Sequence, residues 1–420
     1  MASISEAPKD SFRLSMLIYD TRYRSLTIQV IVFFVVMAGC AWLVDNAIRN
    51  LALLGKDFDF SFLWNRAGYD ISQRLVEYTN DSTHGRALLI GLLNTLLVAF
   101  LGCVAATFLG IFVGVLRLSK NWLVARVMTA YVEIFRNVPL LLWILLIYTV
   151  LIEATPAPNA YRPDADGISR LNMQFFDMVA VTNRYTAIPD PLFYRSLGNI
   201  DIVIFKISLD LLAIIGTLVA SFYVNRALLA NATRVQEATG LRPTTWWKSL
   251  LIWIGPLVAI KLALGLHFAY PELQGFNFVN GLNVSNSLVA LWLALTLYTG
   301  AFIAEIVRAG ILAISRGQSE AAFALGMRPG RTMNLVILPQ AMRVIVPPLI
   351  SQYLNLTKNS SLAIAVGYLD LRGTLGGITL NQTGRELECV LLMMLIYLII
   401  SLLISGAMNI YNASVKLKER

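Results

Sequence analysis

The sequence is poor in charged residues, cysteine and histidine. Charged residues make up 14% of the 420 residues, whereas a soluble chain carries about a quarter, so a soluble domain is excluded. The three cysteines lie far apart, each in or beside an apolar run, and only two histidines are present. Since no C-x-x-C pair or histidine cluster occurs, we predict neither a metal site nor a redox site.

Long apolar runs, by contrast, dominate the chain, which is 57% hydrophobic. Each run is close to or above the ~20 residues that a helix needs to cross the hydrocarbon core of a membrane. They lie at about 27–44, 88–116, 133–152, 200–224, 249–269, 286–312, 334–356 and 388–410. We therefore predict an all-α integral membrane protein with about eight transmembrane helices.

The distribution of basic residues predicts the orientation. The segments that lie on the N-terminal side of the eight spans hold 17 Lys/Arg and 6 Asp/Glu, whereas the opposite segments hold 12 and 13. Basic residues collect on the cytoplasmic side, so both termini are expected in the cytoplasm. Membrane orientation also explains the net charge of +9, and no nucleic-acid partner is indicated.

A polar segment at 315–339 separates two of the apolar runs. Ser315 and Gln318 have the spacing of a capping box, which predicts the start of a helix. The residues from Glu320 onward are mostly strong helix formers. Gly326 is suited to the left-handed conformation that closes a helix, and Pro329 prevents the helix from resuming.

This segment resembles the EAA loop of bacterial ABC importer permeases. Glu320-Ala321-Ala322 is followed after three residues by Gly326, and after nine more by Val336-x-Leu338-Pro339. The family pattern has Ile where this chain has Val336. In those permeases the loop docks on a separate cytoplasmic ATPase. The resemblance therefore implies an ATPase-coupling role for Glu320, Ala321, Ala322 and Gly326.

Other segments resemble the polar amino-acid permeases, and most closely the long general L-amino-acid permease subunits of Gram-negative bacteria. They lie at 91–96, 135–140, 304–308 and 356–362. The resemblance implies an ABC importer (type I) permease core. It divides the chain into a tail, first span and periplasmic loop (1–87), a first core part (88–152), an insertion with a periplasmic loop and two extra spans (153–285), a second core part (286–410) and a cytoplasmic tail (411–420).

The insertion adds an even number of spans, so it leaves the orientation of the core unchanged. Its two spans are expected to pack outside the translocation path. The cytoplasmic connection between them contains Arg226, Gln236 and Gly240 in a pattern similar to the EAA loop, but it lacks the Glu-Ala-Ala helix. We interpret it as a degenerate surface loop, with a second docking site as the alternative.

Charged and polar residues inside spans are candidate functional residues because they are costly in lipid. Two structural charge pairs are predicted from i, i+3 spacing, Glu305 with Arg308 and Glu133 with Arg136. A polar cluster follows an expected helix break at Pro347-Pro348. Its members are the candidates for the substrate path, with a solvated periplasmic turn as the alternative: Asn355, Thr357, Lys358, Ser360 and Ser361.

The predicted function is that of a permease subunit that moves polar or general L-amino acids into the cytoplasm across the bacterial inner membrane. No catalytic set is present, so the chain is not expected to be an enzyme or to bind a cofactor, and ATP is used by a partner. The resemblance implies a cytoplasmic ABC ATPase, itself a dimer, a second homologous permease subunit and a periplasmic solute-binding protein, in addition to membrane lipid. The alternative is an ion-coupled secondary transporter, for which matching broken helices in inverted repeats would be expected.

Overall fold

The computed structural model describes residues 16–53, 58–162, 171–202 and 205–415, and the chain divides into two compact units between Phe62 and Leu63. In the first unit, α1 (Met16–Tyr19) precedes α2 (Thr21–Leu53), a helix of 33 residues. The apolar side chains of α2 are exposed along its length. At a rise of 1.5 Å per residue, α2 is about 50 Å long. Its length and its exposed apolar surface are those of a helix surrounded by lipid.

The second unit contains the remaining helices. They are α3 (His84–Leu116), α4 (Trp122–Asn137), α5 (Leu140–Glu153), α6 (Gln174–Asp177), α7 (Leu209–Thr239), α8 (Trp246–Leu264), α9 (Asn286–Leu312), α10 (Arg316–Ala324), α11 (Pro329–Thr332), α12 (Leu338–Asn359), α13 (Leu380–Thr383) and α14 (Glu386–Val415). Short 3₁₀ segments lie at Ser61–Trp64, Pro158–Tyr161 and Ser360–Val366, and π-helical segments at Met333–Ile337 and Arg372–Thr379.

The helices confirm the predicted number of about eight spans. In the described part of the chain, seven helical segments are long and apolar enough to cross a membrane, and the bent pair α4–α5 is an eighth candidate. Most boundaries agree with the apolar runs to within a few residues. The terminal segments 1–15 and 416–420, which were expected in the cytoplasm, lie outside the described residues.

The third predicted span is not one straight helix, which corrects the prediction for 133–152. α4 and α5 meet at a bend of 106°. Val138, between the two helices, is extended, with φ −106° and ψ 134°. Proline disfavours the helical conformation in the residue that precedes it, so Pro139 ends α4 and begins α5.

The predicted break at Pro347-Pro348 is also wrong, because α12 continues through both prolines. The φ of about −65° that proline imposes is a helical value, and a membrane helix tolerates an interior proline where neighbouring groups satisfy the freed carbonyl. The change of direction comes later. A 3₁₀ segment starts at Ser360, and Gly367 ends it with a left-handed φ of +71°.

The centre of the unit is the contact between α3 and α9. The apolar part of α9 is 61% buried, against 6% in α7 and in α8. Gly110 and Gly114 on α3 have the G-x-x-x-G spacing that lets two membrane helices approach closely. A Cβ at Gly114 would lie 2.7 Å from the carbonyl oxygen of Ala304. The two backbones are therefore too close to admit a side chain at this position.

Two polar residues on α3 hold the chain that follows α12. The Nδ2 of Asn94 donates to the carbonyl oxygens of Gln73 and Leu369, at 2.8 and 2.9 Å. The Oγ1 of Thr95 accepts a hydrogen bond from the N–H of Leu371 at 3.0 Å. Both side chains are fully buried. The segment of α3 that resembles the permease family thus joins distant parts of the chain.

A buried carboxylate lies in the same turn. Asp370, between the last two spans, is fully buried, and this burial raises the pKa of its carboxyl to about 6. It accepts hydrogen bonds from the N–H of Gly373 at 2.8 Å and from the hydroxyl of Tyr397 at 3.3 Å. A Cβ at Gly91 would lie 2.8 Å from the carbonyl oxygen of Asp370. The turn is therefore packed directly against the backbone of α3.

In the described part of the chain, nine short strands flank α7 and α8, and the sequence pattern did not predict them. They are β1 (Ala180–Val181), β2 (Tyr185–Ile188), β3 (Asp190–Phe193), β4 (Asn199–Ile202), β5 (Phe205–Ser208), β6 (Leu266–Ala269), β7 (Glu272–Gln274), β8 (Asn277–Val279) and β9 (Leu282–Ser285). All pairings are antiparallel, with the orders β1–β2–β9, β3–β6, β4–β5 and β7–β8. The predicted span 200–224 consequently begins in strands, and its helix starts at Leu209.

We predict that Gly114→Ala weakens the contact between α3 and α9. Because the added methyl group meets a backbone oxygen, the helices must separate, and a cost of about 1–3 kcal/mol is typical of such overpacking. Thermal unfolding of the purified protein in detergent measures the effect. Gly216→Ala in α7 is the control, since a Cβ there meets nothing within 4 Å. Equal unfolding temperatures for the two variants would contradict the assigned packing.

Candidate functional site

The helix predicted in the EAA-like segment is present as α10, with a different N-terminal cap. Ser315 precedes α10, but its side chain makes no capping hydrogen bond within the described chain. Gln318 instead donates its backbone N–H to the carbonyl oxygen of Ser315, at 3.1 Å. The side chain of Gln318 accepts a hydrogen bond from Gln340 of α12 at 3.5 Å. The predicted capping box is therefore wrong, because the side chain of Gln318 contacts Gln340 of α12 instead of the N-terminus of α10.

The end of α10 has the expected left-handed glycine. Gly326 has a φ of +73° and donates its N–H to the carbonyl oxygen of Phe323 at 2.9 Å. The N–H of Met327 donates to the carbonyl oxygen of Ala322 at 3.1 Å. These two bonds form a Schellman motif, which satisfies carbonyl groups that the end of a helix leaves free. The turn then leads into α11, whose first residue is Pro329.

The residues of α10 divide into an exposed and a buried set. Glu320 and Ala321 are exposed, whereas Ala322 is 4% exposed and faces its own chain. Phe323 and Leu325 are 50% and 82% exposed. An apolar surface beside a carboxylate, with backbone held rigid by the Schellman motif, is suited to contact with another protein. Ala322 does not belong to that surface, and the ATPase-coupling role of Glu320, Ala321, Ala322 and Gly326 stays a prediction.

Glu305 in α9 joins three arginines rather than one. Its Oε1 lies 2.6 Å from Nη2 of Arg308, the partner predicted from spacing. Its Oε2 accepts a hydrogen bond from Arg117 at the end of α3, and Nη1 of Arg136 in α4 lies 4.0 Å away. The side chain of Arg117 is only 8% exposed. One carboxylate therefore connects the ends of three helices on the side of the unit where α10 lies.

The second predicted charge pair, Glu133 with Arg136, is not formed. Glu133 accepts a hydrogen bond from the side chain of Asn137 at 3.3 Å. The guanidinium of Arg136 lies 5.2 Å from the ring centroid of Phe302, a cation–π contact, and points toward Glu305. Helix spacing alone predicted a local partner, but α9 supplies a better one across the helix interface.

The polar cluster at the end of α12 and the start of the following 3₁₀ segment is also divided by the structure. Thr357 and Ser360 are buried and donate to backbone carbonyl oxygens one turn earlier, each at 2.8 Å. Ser361 is half-buried, whereas Asn355 and Lys358 are exposed, three residues apart on α12. An exposed ammonium within a span is costly in lipid and faces protein or water instead. Asn355 and Lys358 therefore remain candidates for the substrate path, and Thr357 and Ser360 have local structural partners.

Sequence comparisons then identify the family. The model described as "Binding-protein-dependent transport system inner membrane component" matches residues 213–417. The glutamate/glutamine/aspartate/asparagine transport system permease protein BztB of Rhodobacter capsulatus is 64% identical over 426 residues, covering 100% of both chains. The putative amino-acid ABC transporter permease protein YhdX of Escherichia coli is 43% identical and covers 94% of this chain and 95% of its own. The chain belongs to the ABC importer permeases.

A further relative of this ABC importer permease is the general L-amino acid transport system permease protein AapQ of Rhizobium johnstonii. It is 41% identical over 412 residues, which cover 98% of this chain and 96% of the relative. Membership in the family means a multi-pass membrane permease that works with a separate ATPase and a solute-binding protein. The alternative of an ion-coupled secondary transporter receives no support.

We predict that Glu305→Gln destabilises this permease, whereas Glu320→Gln does not. The first change leaves the nearly buried Arg117 without its carboxylate, at a cost of about 1–3 kcal/mol. Glu320 is exposed, so its replacement costs less than about 0.5 kcal/mol. Thermal unfolding in detergent compares the two variants. If Glu320→Gln lowered the unfolding temperature as much as Glu305→Gln, the role assigned to the arginine cluster would be wrong.

Proposed function

We propose that this permease moves L-amino acids into the cytoplasm, with glutamate, glutamine, aspartate and asparagine among its solutes. The observation that carries the proposal is the 64% identity to BztB along the whole chain. At that identity, we expect this permease and BztB to share the α3–α9 core and the polar residues near it. The relation to AapQ favours a range of L-amino acids rather than one.

Uptake of radiolabelled L-glutamate by proteoliposomes tests this proposal. The complex of the permease with its partner subunits is reconstituted, the solute-binding protein is added outside, and ATP is enclosed. Uptake that requires ATP and is reduced by unlabelled glutamine, aspartate or asparagine is the expected result. Uptake driven by an ion gradient without ATP would contradict the proposal, as would the absence of competition by all three amino acids.

The ATPase contact is assigned to α10. Glu320, Ala321, Phe323 and Leu325 form the exposed surface described above, and this surface would lie in a groove of the ATPase. Ala322 would act within the chain itself, because it is buried, and α10 contacts α11 and the π-helical segment Met333–Ile337. A larger side chain at Ala322 would push α10 away from its own chain rather than away from the ATPase.

Movement of α10 would reach the spans through two connections. On one side, the chain runs from α11 through the π-helical segment directly into α12. On the other side, α12 packs against the last turns of α9, where a Cβ at Gly310 would overlap the side chain of Ile345. Closure of the ATPase would therefore displace α12 and α9 together.

The proposed assembly contains two permease subunits, two ATPase subunits and one solute-binding protein. One chain offers only part of a path, since the polar face of α12 at Asn355 and Lys358 is exposed. A second, homologous permease would cover that face. With α10 and the chain termini on the cytoplasmic side, the strands β1–β9 lie on the periplasmic side, where a solute-binding protein delivers its solute.

We predict that Gly326→Val uncouples the permease from its ATPase. A β-branched residue is strongly disfavoured at a φ of +73°, and the strain of about 1–2 kcal/mol distorts the turn that ends α10. The variant should insert into the membrane at the parental level, retain less ATPase on copurification and lose ATP-driven uptake.

The matched control for this experiment is Gly330→Val. Gly330 lies in α11, its φ is not left-handed, and a Cβ there meets nothing within 4 Å. This control should keep the ATPase and most of the uptake. If Gly326→Val retained both activities at matched membrane levels, the docking assignment of α10 would fail.

A further inference from the structure

A cavity of about 450 Å³ opens at the start of α9, at the end opposite α10. We call it the α9 cavity. Its walls are the turn at 183–184 between β1 and β2, strands β2 and β9, the first turn of α9, the end of α5 and the segments at 72–73 and 366–369. This volume is within the range of about 300–1,000 Å³ that is typical of small-molecule sites. The cavity lies where the insertion joins the core.

The wall of the α9 cavity is polar and carries one positive charge. Amides and hydroxyls supply most of the polar groups, and the cation is Arg184. Among the residues that the structure describes, no acidic side chain lines the cavity. A single cation in a concave polar wall attracts anionic groups and repels cationic ones. The charge of the wall therefore favours a neutral or acidic solute over a basic one.

One polar atom in this wall has an unused hydrogen-bonding capacity. The Oδ1 of Asn183 is buried and has no hydrogen-bond donor within the described chain. A buried acceptor without a donor is destabilising. An ammonium group in the cavity would supply the missing donor. Asn183 thus indicates where the positive end of a solute would lie.

The start of α9, by contrast, favours a negatively charged group. Ser285 caps this 27-residue helix, and Ser287 lies in its first turn, so both border the cavity beside the positive end of the helix dipole. The N-terminus of a helix is a favourable place for a carboxylate. Arg184, whose Nη1 also donates to the Oδ1 of Asn277 at 3.5 Å, adds a guanidinium, the side chain that best matches a carboxylate.

We infer that the α9 cavity binds a zwitterionic L-amino acid with a neutral or acidic side chain before the solute enters the membrane path. The ammonium group lies at Asn183, and the carboxylate groups lie between the start of α9 and Arg184. The inference rests on the proposed function and extends it, because it assigns the solute's first contact with the permease to the start of α9 and to the turn between β1 and β2 of the insertion. The insertion then contributes to selectivity, although its helices α7 and α8 are peripheral.

Direct binding to the complex of the permease and its partner subunits, in nanodiscs and without the solute-binding protein, tests this inference. The probes are radiolabelled L-glutamate and L-lysine. Arg184→Gln should weaken glutamate binding about tenfold, since it removes a charge-assisted hydrogen bond. Asn183→Asp preserves size but adds a negative charge, so it should weaken glutamate binding and strengthen lysine binding. Arg195→Gln is the control, because Arg195 is exposed and does not line the cavity.

Each result either supports or overturns the assignment. Unchanged glutamate binding in both cavity variants would overturn it, as would the absence of saturable binding to the parent complex. Lower uptake in Arg184→Gln with unchanged binding would make the cavity a docking surface for the solute-binding protein and also overturn it. The proposed function fails separately, when the parent shows no ATP-driven amino-acid uptake in proteoliposomes.

Discussion

The close contact of α3 with α9 is the interaction on which the rest of the helical unit depends. Lipid offers no hydrophobic driving force between helices, so their association relies on van der Waals contact and on hydrogen bonds between helices. Gly110 and Gly114 provide the close van der Waals contact. The second comes from Tyr131 of α4, whose hydroxyl donates to the carbonyl oxygen of Leu297 at 2.6 Å, and from the carboxylate of Glu305. These contacts make α9 the most buried of the candidate spans.

A rigid and buried α9 has a mechanical consequence. The helix has 27 residues, or about 40 Å at 1.5 Å per residue, with the α9 cavity at its start and α10 just beyond its end. Glu305 fastens its α10 end to α3 and α4, so a displacement of that end cannot be absorbed by α9 alone. In the coupling that we propose, a force applied at α10 would therefore move several helices as a body, and the opposite end of α9 would move with them.

Part of this structure was predictable because it follows from local chemistry. The spans follow from the thickness of the hydrocarbon core, and the end of α10 follows from the need for glycine at a left-handed position. Other features depend on partners distant in sequence. Helix spacing predicted that Arg136 pairs with Glu133, but in the structure Arg136 lies near Glu305. The sequence alone could not distinguish Ala321 from Ala322, yet Ala321 is exposed and Ala322 is buried. The strands of the insertion are two to four residues long, too short for a clear alternating pattern.

The segment 153–285, which we predict to be an insertion, places 133 residues between the two predicted parts of the core. Two conditions must hold for the core to remain intact: the insertion must return to the side that it left, and its ends must meet. Two added spans satisfy the first. Within the insertion, the pairing of β2 with β9 closes the part that contains α7 and α8, since Tyr185 lies opposite Ser285, the residue that caps α9. Because the closure is made by strands at the start of α9, the inserted segment contributes side chains to the cavity there without entering the contact between α3 and α9. If the α9 cavity binds the solute as we propose, an insertion closed in this way would alter which solutes reach the path and would leave the contact between α3 and α9 unchanged.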